Sequence, residues 1–288
     1  MKSISKVAVL GAGVLGSQIA FQVAANGIDV ILYDVDSESF GRASQIFGWM
    51  EQYYADRLNA SPADIEDAYN RLSYAFELEE VMGAELIIES IPENLEMKKE
   101  LYLRLAGLAD IDTIFATNSS TFLPSQLMEY TGRPDRFLAL HFANLLVQFN
   151  TAEVMGSPKT EPDVYATVVQ FARDINMVPI EMRKEKDGYI LNSLLIPLLS
   201  AAAELWMTGV ADTETIDKTW KIATGAQAGP FEIFDIIGLN TMYNISMGGD
   251  MKSKLFAHFL KENYISKGKL GYLSGEGFYR YPREGSIL

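Results

Sequence analysis

Two imidazoles are available to this 288-residue chain, His141 and His258, and there is no cysteine to serve as thiolate nucleophile, disulfide partner or metal ligand. His141 closes the apolar run Phe137-Leu138-Ala139-Leu140-His141, so an acid–base group stands at the carboxyl end of a buried strand candidate. Open α/β sheets bind their ligands at that edge. Glu153 follows 12 residues later, beyond a short turn and on the next strand candidate, close enough to orient the imidazole. A histidine–carboxylate pair of this kind moves protons to and from a carbonyl or hydroxyl oxygen. On spacing alone, a hydrogen-bonded core histidine is the competing account. His258, within Leu255-Phe256-Ala257-His258-Phe259-Leu260, reads as structural.

Ala116-Thr117-Asn118-Ser119-Ser120-Thr121 places small hydroxyl and amide groups after another buried strand. Ser119 or Ser120 can cap a helix or close a turn there; beside the His141 strand, the same run suits polarising a substrate. No GxSxG surrounds these serines, which argues against hydrolase chemistry. Asn192 interrupts the apolar stretch Tyr189-Ile190-Leu191-Asn192-Ser193-Leu194-Leu195. Its amide must find partners, either in a cleft between domains or in helix packing.

Gly11-Ala12-Gly13-Val14-Leu15-Gly16 is a GxGxxG turn, preceded by an apolar strand pattern and followed by a helical one at Ile19, Ala20 and Val23. Val30-Ile31-Leu32-Tyr33 then leads to Asp34, 18 residues after Gly16. That context is the dinucleotide fingerprint. Gly11 permits the tight turn, Gly13 lets a pyrophosphate approach the backbone, and Gly16 lets helix and strand pack closely. The helix N-terminus faces the phosphates. Asp34 would hold the adenosine ribose hydroxyls and repel a 2′-phosphate, so NAD is expected rather than NADP.

The elements that position these groups alternate between short apolar strands and helices, the pattern of βαβ units. Strands are expected at Val7-Leu10, Val30-Tyr33, Leu86-Glu89, Thr113-Ala116 and Phe137-His141, with a clear helix over Glu93 to Ala109. Gln148 to Met155, a helix over Glu161 to Ile175 and a strand at Val178 to Glu181 extend the sheet. From Asp187 onward there is no strand candidate, only helical stretches at Tyr189 to Thr208, Thr213 to Ala223, Pro230 to Ile237 and Asp250 to Lys267. The expected architecture is α/β: a doubly wound, mostly parallel Rossmann-type sheet domain over residues 1–186 and an all-helical domain over 187–288. Tyr189 to Met207 carries Asn192, Ser193, Pro197, Ser200 and Glu204, too polar for a membrane span and expected as a buried helix.

Acidic side chains outnumber basic ones 38 to 24, giving a formal net charge of −14. The longest basic cluster, Arg183-Lys184-Glu185-Lys186, is too small to track a phosphate backbone, which argues against nucleic acid as partner. Nothing ahead of the first strand reads as a targeting signal, so none is expected, and the cysteine-free composition fits a reducing cytoplasm.

Together the glycine turn with Asp34, Pro92-Glu93-Asn94-Leu95-Glu96-Met97-Lys98, Ala116-Thr117-Asn118-Ser119-Ser120, Arg136-Phe137-Leu138-Ala139-Leu140-His141-Phe142, Gly188-Tyr189-Ile190-Leu191-Asn192 and Gly275-Glu276-Gly277-Phe278-Tyr279 resemble the 3-hydroxyacyl-CoA dehydrogenases in order and spacing over the full chain. Within that family the chain is most similar to the bacterial diketoreductases, through His141-Phe142-Ala143-Asn144, Asn150-Thr151-Ala152-Glu153-Val154-Met155-Gly156 and Asn192-Ser193-Leu194-Leu195. The resemblance implies His141 and Glu153 as the catalytic pair, Ser120 as the substrate-binding serine and Asn192 as the motif asparagine. It implies cofactor contacts at Gly11, Gly13, Val14, Leu15, Gly16, Asp34, Glu93, Lys98 and Asn118, with Glu93 and Lys98 near the nicotinamide ribose. No metal is implied, and a homodimer joined through the helical domain is.

The chain departs from the acyl-CoA pattern. His141-Phe142-Ala143-Asn144-Leu145 stands where typical members read His-Phe-Phe-Asn-Pro, and Asn192-Ser193 where they read Asn-Arg. Between Ser37 and Asn70 the bases are Arg42 and Arg57, against Glu38, Glu51, Asp56, Asp64, Glu66 and Asp67, where those members carry lysines for CoA. The expected activity is NAD-dependent interconversion of a 3-hydroxy and a 3-oxo group, on a 3-hydroxyacyl-CoA or on a non-CoA β-keto or β,δ-diketo acid or ester. A catalytically silent NAD-binding structural or sensor protein is the rival; the intact Ser120, His141, Glu153 and Asn192 set argues against it.

Overall fold

The computed structural model describes residues 3–281, the side chain of Leu273 apart. It divides into two compact units, Met1–Ile190 and Leu191–Leu288.

The first unit is built on an eight-stranded sheet: β1 (Lys6–Leu10), β2 (Asp29–Tyr33), β3 (Leu72–Ala75), β4 (Leu86–Glu89), β5 (Ile114–Thr117), β6 (Phe137–Phe142), β7 (Thr151–Gly156) and β8 (Val178–Met182). Their order across the sheet is β3-β2-β1-β4-β5-β6-β7-β8, parallel throughout except where β7 runs antiparallel to β6. The chain winds outward one way from β1 and the other way from β4, so the switch point lies between those strands, as a doubly wound fold requires. Alternate residues of each strand feed two cores. Val7, Val9, Leu86, Ile88, Leu138 and Leu140 face one side, and Ala8, Leu10, Ile87, Phe115 and Phe137 face the other. Helices α1 (Val14–Ala25), α2 (Ser37–Leu58), α3 (Pro62–Asn70) and α6 (Pro162–Asp174) cover the first face, while α4 (Leu95–Leu108) and the short α5 (Pro124–Leu127) cover the second.

Local chemistry sets the helix starts. The Asp36 carboxylate accepts from Glu38 N, Asn94 Oδ1 from Met97 N, and Ser61 and Asp64 form a reciprocal capping box ahead of Pro62. One strand, β3, was not expected from the sequence. Leu72-Ser73-Tyr74-Ala75 is an edge strand with an exposed middle, so it carries no apolar run to betray it.

The second unit comprises most of α7 (Tyr189–Met207), with α8 (Thr213–Thr224), α9 (Pro230–Ile237), α10 (Leu239–Met247) and α11 (Met251–Asn263). Among the described residues its only β features are two isolated bridges, Gly271 to Glu276 and Glu276 to Arg280. Helix α10 went unpredicted because Asn240, Thr241, Asn244 and Ser246 dilute its period, and only Gly238 separates it from α9. Two buried aspartates tie the C-terminal loop down. Asp235 accepts from Phe278 N, Tyr279 N and Tyr281 OH, and Asp217 from Phe231 N, Glu232 N and Tyr279 OH.

The expectation of a buried α7 is corrected. Leu199, Ala202 and Ala203 are buried, but Ile190, Leu191, Leu205 and Met207 are exposed and Leu194 is 71% exposed. At 19 residues, with a mean hydropathy of 1.6 over an 18-residue window, the helix also has the length and composition of a membrane span.

Candidate active site

His141 and Glu153 are directly opposed across the antiparallel β6–β7 pair, and both are buried. Opposed residues of such a pair project to the same face, so register alone brings the imidazole to the carboxylate. Nδ1 lies 3.0 Å from Glu153 Oε2 and Nε2 lies 3.1 Å from Ser120 Oγ. With Glu153 ionised and the imidazole neutral, Nδ1–H donates to Glu153 and Nε2 accepts a hydrogen bond from the Ser120 hydroxyl. The second carboxylate oxygen, Oε1, accepts from Ile190 N at 2.9 Å. Ser120, at the carboxyl end of β5, the imidazole and Glu153 thus form one continuous hydrogen-bonded chain.

Beside it, the carboxyl end of β4 carries a buried ionic network. Glu89 is 0% exposed and accepts from Lys98 Nζ at 2.5 Å, Thr117 Oγ1 at 2.8 Å, Ile91 N at 2.9 Å and Tyr102 OH at 3.2 Å. Lys98, 1% exposed, reaches Glu93 Oε2 at 3.2 Å as well. Glu93 accepts from Thr121 N at 3.0 Å, from Thr121 Oγ1 at 2.6 Å and from Ser119 Oγ. Burial pushes the Glu93 carboxyl up, but the hydroxyls of Ser119 and Thr121 and the Lys98 charge outweigh it and hold the group below the usual carboxylate range. The two adjacent serines therefore divide their work: Ser119 anchors the loop to Glu93, and Ser120 faces His141. Asn118 Oδ1 accepts from Phe142 N at 2.9 Å, locking the loop to the end of β6.

The glycine turn fits a dinucleotide. Gly11 (φ +107°) runs against the backbone of Ser90, where a Cβ would meet the carbonyl oxygen at 2.5 Å. A Cβ on Gly16 would meet Gly11 O at 1.9 Å, so only glycine allows α1 to pack against the turn. Over Gly13 nothing lies within 4 Å, an open cradle at the start of α1. Val14 and Leu15 open the helix, and Asp34 Oδ2 accepts from Ala12 N at 2.8 Å, bringing the acid of β2 to the turn. Open backbone, a helix N-terminus and a carboxylate beside it are the groups that a dinucleotide's pyrophosphate and ribose require.

Comparison with known proteins places these geometries. The NAD binding domain model of 3-hydroxyacyl-CoA dehydrogenase matches residues 6–186, and the C-terminal domain model of the same family matches residues 188–281. The chain belongs to the 3-hydroxyacyl-CoA dehydrogenase family. It is 32% identical to the mitochondrial hydroxyacyl-coenzyme A dehydrogenase of Rattus norvegicus, over 96% of this chain and 91% of that one. It is 30% identical to the probable 3-hydroxybutyryl-CoA dehydrogenase of Bacillus subtilis, over 98% and 99%. Among solved structures, a diketoreductase with substrate-directed dual catalysis of dicarbonyl compounds is 55% identical with a TM-score of 0.92, covering 98% of this chain and all of that one. The (S)-3-hydroxybutyryl-CoA dehydrogenase of Ralstonia eutropha is 25% identical with a TM-score of 0.82, covering 97% and 99%.

Within this family member the structure joins Ser120, His141 and Glu153, and separately Glu93, Lys98 and Ser119. Asn192 falls on the first turn of α7, in the second unit and partly exposed. His258 is exposed on α11. Leu145 stands where acyl-CoA members carry proline, and its φ of +57° is one a pyrrolidine ring forbids, so the turn after β6 takes its own path. Sequence reasoning missed Glu89 and Tyr102, and gave Thr117 no role of its own within the run at the end of β5. The available signal was a glutamate ending the apolar run Leu86-Ile87-Ile88, since a charge in a buried strand must have a partner.

Proposed function

We propose that this chain is an NAD(H)-dependent oxidoreductase interconverting a 3-hydroxy and a 3-oxo group, with a non-CoA β-keto or β,δ-diketo acid or ester as substrate. The observation that carries it is the Ser120–His141–Glu153 chain at the carboxyl edge of a sheet whose first turn is built for a dinucleotide. Gly11, Gly13, Val14, Leu15, Gly16 and Asp34 would hold the adenosine and pyrophosphate half of NAD. Asn118 and Glu93 would meet the nicotinamide half, with Lys98 acting through Glu93 because its own ammonium is buried. NAD, when bound, would supply the hydride acceptor in oxidation and the hydride donor in reduction. The protein's part is the proton: His141 Nε2 takes it from the hydroxyl in oxidation and returns it in reduction. Glu153 holds the tautomer and stabilises the imidazolium, while Ser120 donates a hydrogen bond to the oxygen on which charge develops.

The substrate assignment rests on charge and likeness. Helices α2 and α3 present few bases, and Arg42 is engaged by Asp36 Oδ2 at 3.2 Å and Ser39 Oγ at 2.7 Å, leaving little to attract a CoA 3′-phosphate. The 55% identical neighbour acts on dicarbonyl compounds. Following NADH consumption on acetoacetyl-CoA and on a β,δ-diketo ester tests this directly. The diketo ester is expected to have the higher kcat/KM; a roughly hundredfold advantage for the thioester would overturn the substrate assignment. Asp34→Ala is expected to weaken NADH binding about tenfold or more, without weakening NADPH, in fluorescence titrations. Weaker binding of both cofactors alike would count against a ribose role for Asp34.

A cytoplasmic homodimer completes the proposal. Leu194 on α7 and Met251 and Leu255 on α11, the first two 71% and 77% exposed, offer apolar surface that a second copy would cover. Light scattering should give twice the chain mass of 32.0 kDa, and a monomer would refute the pairing.

A further inference from the structure

We infer that Tyr189 is a positioning residue that holds the Ser120–His141–Glu153 chain in register from the first residue of α7. Its ring stacks on the imidazole of His141, with centroids 4.4 Å apart and planes 18° from parallel. Its phenol donates to the carbonyl oxygen of Ser119 at 2.8 Å, fixing the peptide that carries Ser120. The next residue, Ile190, donates its backbone N–H to Glu153 Oε1. One dipeptide therefore touches every member of the chain: the base by its face, the serine through its backbone and the carboxylate through the oxygen that the imidazole leaves over.

The backbone supports a dedicated arrangement. Gly188 has φ +73° and Tyr189 φ +53°, two consecutive residues in the left-handed region, which a bulky side chain rarely enters. Such a conformation persists only where its surroundings over-determine it. Here they do, because the ring is 1% exposed and packs with Ala139 and Met155, the neighbours of His141 and Glu153 on the same sheet face. Burial, then the negative charges of Glu153, Glu93 and Glu89, push the phenol far above its ordinary range, so it remains a donor to Ser119 at any working pH.

Two consequences follow for catalysis. The stack restricts rotation of the imidazole about its bond to the strand, so Nε2 stays on the side of Ser120. The π-face also stabilises the ring when it carries the proton, an attraction that grows in a desolvated site. Around the imidazole the hydrogen-bonding groups are Glu153 from β7 and Ser120 from the loop after β5, with Tyr189 against the face. Removing the ring leaves the carboxylate and the serine but loosens both the geometry and the preference for imidazolium.

The inference rests on His141 being the proton-transferring group, so the experiment includes His141→Gln beside Tyr189→Leu and Tyr189→Phe. Each is measured for kcat, NADH affinity, the pH profile of reduction and Tm. Tyr189→Leu is expected to lower kcat about tenfold or more at unchanged NADH affinity, and to move the alkaline limb of the reductive profile down by about half a pH unit. Tyr189→Phe keeps the ring, so its pH limb should stay in place while kcat falls about threefold through the loosened Ser119–Ser120 peptide. A folded Tyr189→Leu enzyme with wild-type kcat and pH profile overturns the role of Tyr189. Should the leucine variant not fold, a shifted limb or an unchanged kcat in Tyr189→Phe overturns it instead. If His141→Gln keeps wild-type turnover, it is the proposed function that falls; if His141→Gln is inactive while the Tyr189 variants behave as wild type, only the inference falls.

Discussion

His141→Gln is expected to lower turnover by about two to four orders of magnitude, some 3–5 kcal/mol of transition-state stabilisation, while NADH binds as before. Glutamine fills similar space and can still engage Glu153, so the pocket loses proton transfer and little else. NADH affinity should hold because the imidazole's own partners are Glu153, Ser120 and Tyr189, whereas the glycine turn and Asp34 lie at the ends of β1 and β2. The loss should fall on kcat and kcat/KM together, since the interaction removed is one made in the transition state. Steady-state kinetics beside an NADH titration separate these quantities. Undiminished turnover would remove His141 from the chemistry, and a loss confined to NADH affinity would assign it to the cofactor. Glu153→Gln should retain more activity than His141→Gln, because the acid–base group survives and loses only its orientation and charge compensation.

The sheet edge was legible because burial forces near-continuous apolar runs on central parallel strands, and His141 could be read as the polar end of one such run. Strand β3 was not, since an edge strand solvated along its middle needs no apolar pattern. The pairing of His141 with Glu153 followed from a hairpin estimate and holds because the antiparallel register puts them opposite one another. Ser119 and Ser120 look interchangeable in sequence. What distinguishes them is the direction of consecutive side chains leaving β5, one meeting Glu93 and the other the imidazole. Tyr189 could be read only as an aromatic at the start of a helix, because nothing local reveals that Gly188 and Tyr189 both turn left-handed and swing the ring over His141. The length of α7 was foreseen but its exposure was not: an apolar side chain records the need for a cover without stating whether that cover lies in the same chain.

Lys98→Met should be the most destabilising of the substitutions considered, by about 3–5 kcal/mol, because it strands Glu89 in a site with no access to water. Four donors converge on that carboxylate, and three remain in the variant: Thr117, Tyr102 and the Ile91 N–H. They are neutral hydrogen-bond donors and do not replace a buried cation's charge. Thermal unfolding should register a fall of about ten degrees or more in Tm for a unit of this size. Combining Lys98→Met with Glu89→Gln should recover most of the loss, since the charge that needed a partner has gone; failure to recover it would mean that the lysine stem, rather than the ion pair, carries the stability. Acid unfolding adds a second reading. Glu93, held below the usual carboxylate range in the folded state, stabilises the fold fully above its unfolded pKa and loses that contribution as pH falls through its lowered folded value. Lys98→Met removes one of the groups that hold it there, so unfolding of the single variant should begin at a higher pH than in the parent. Turnover should fall with it, because Glu93 is the anchor for Ser119 and Thr121, and the residue between them is Ser120.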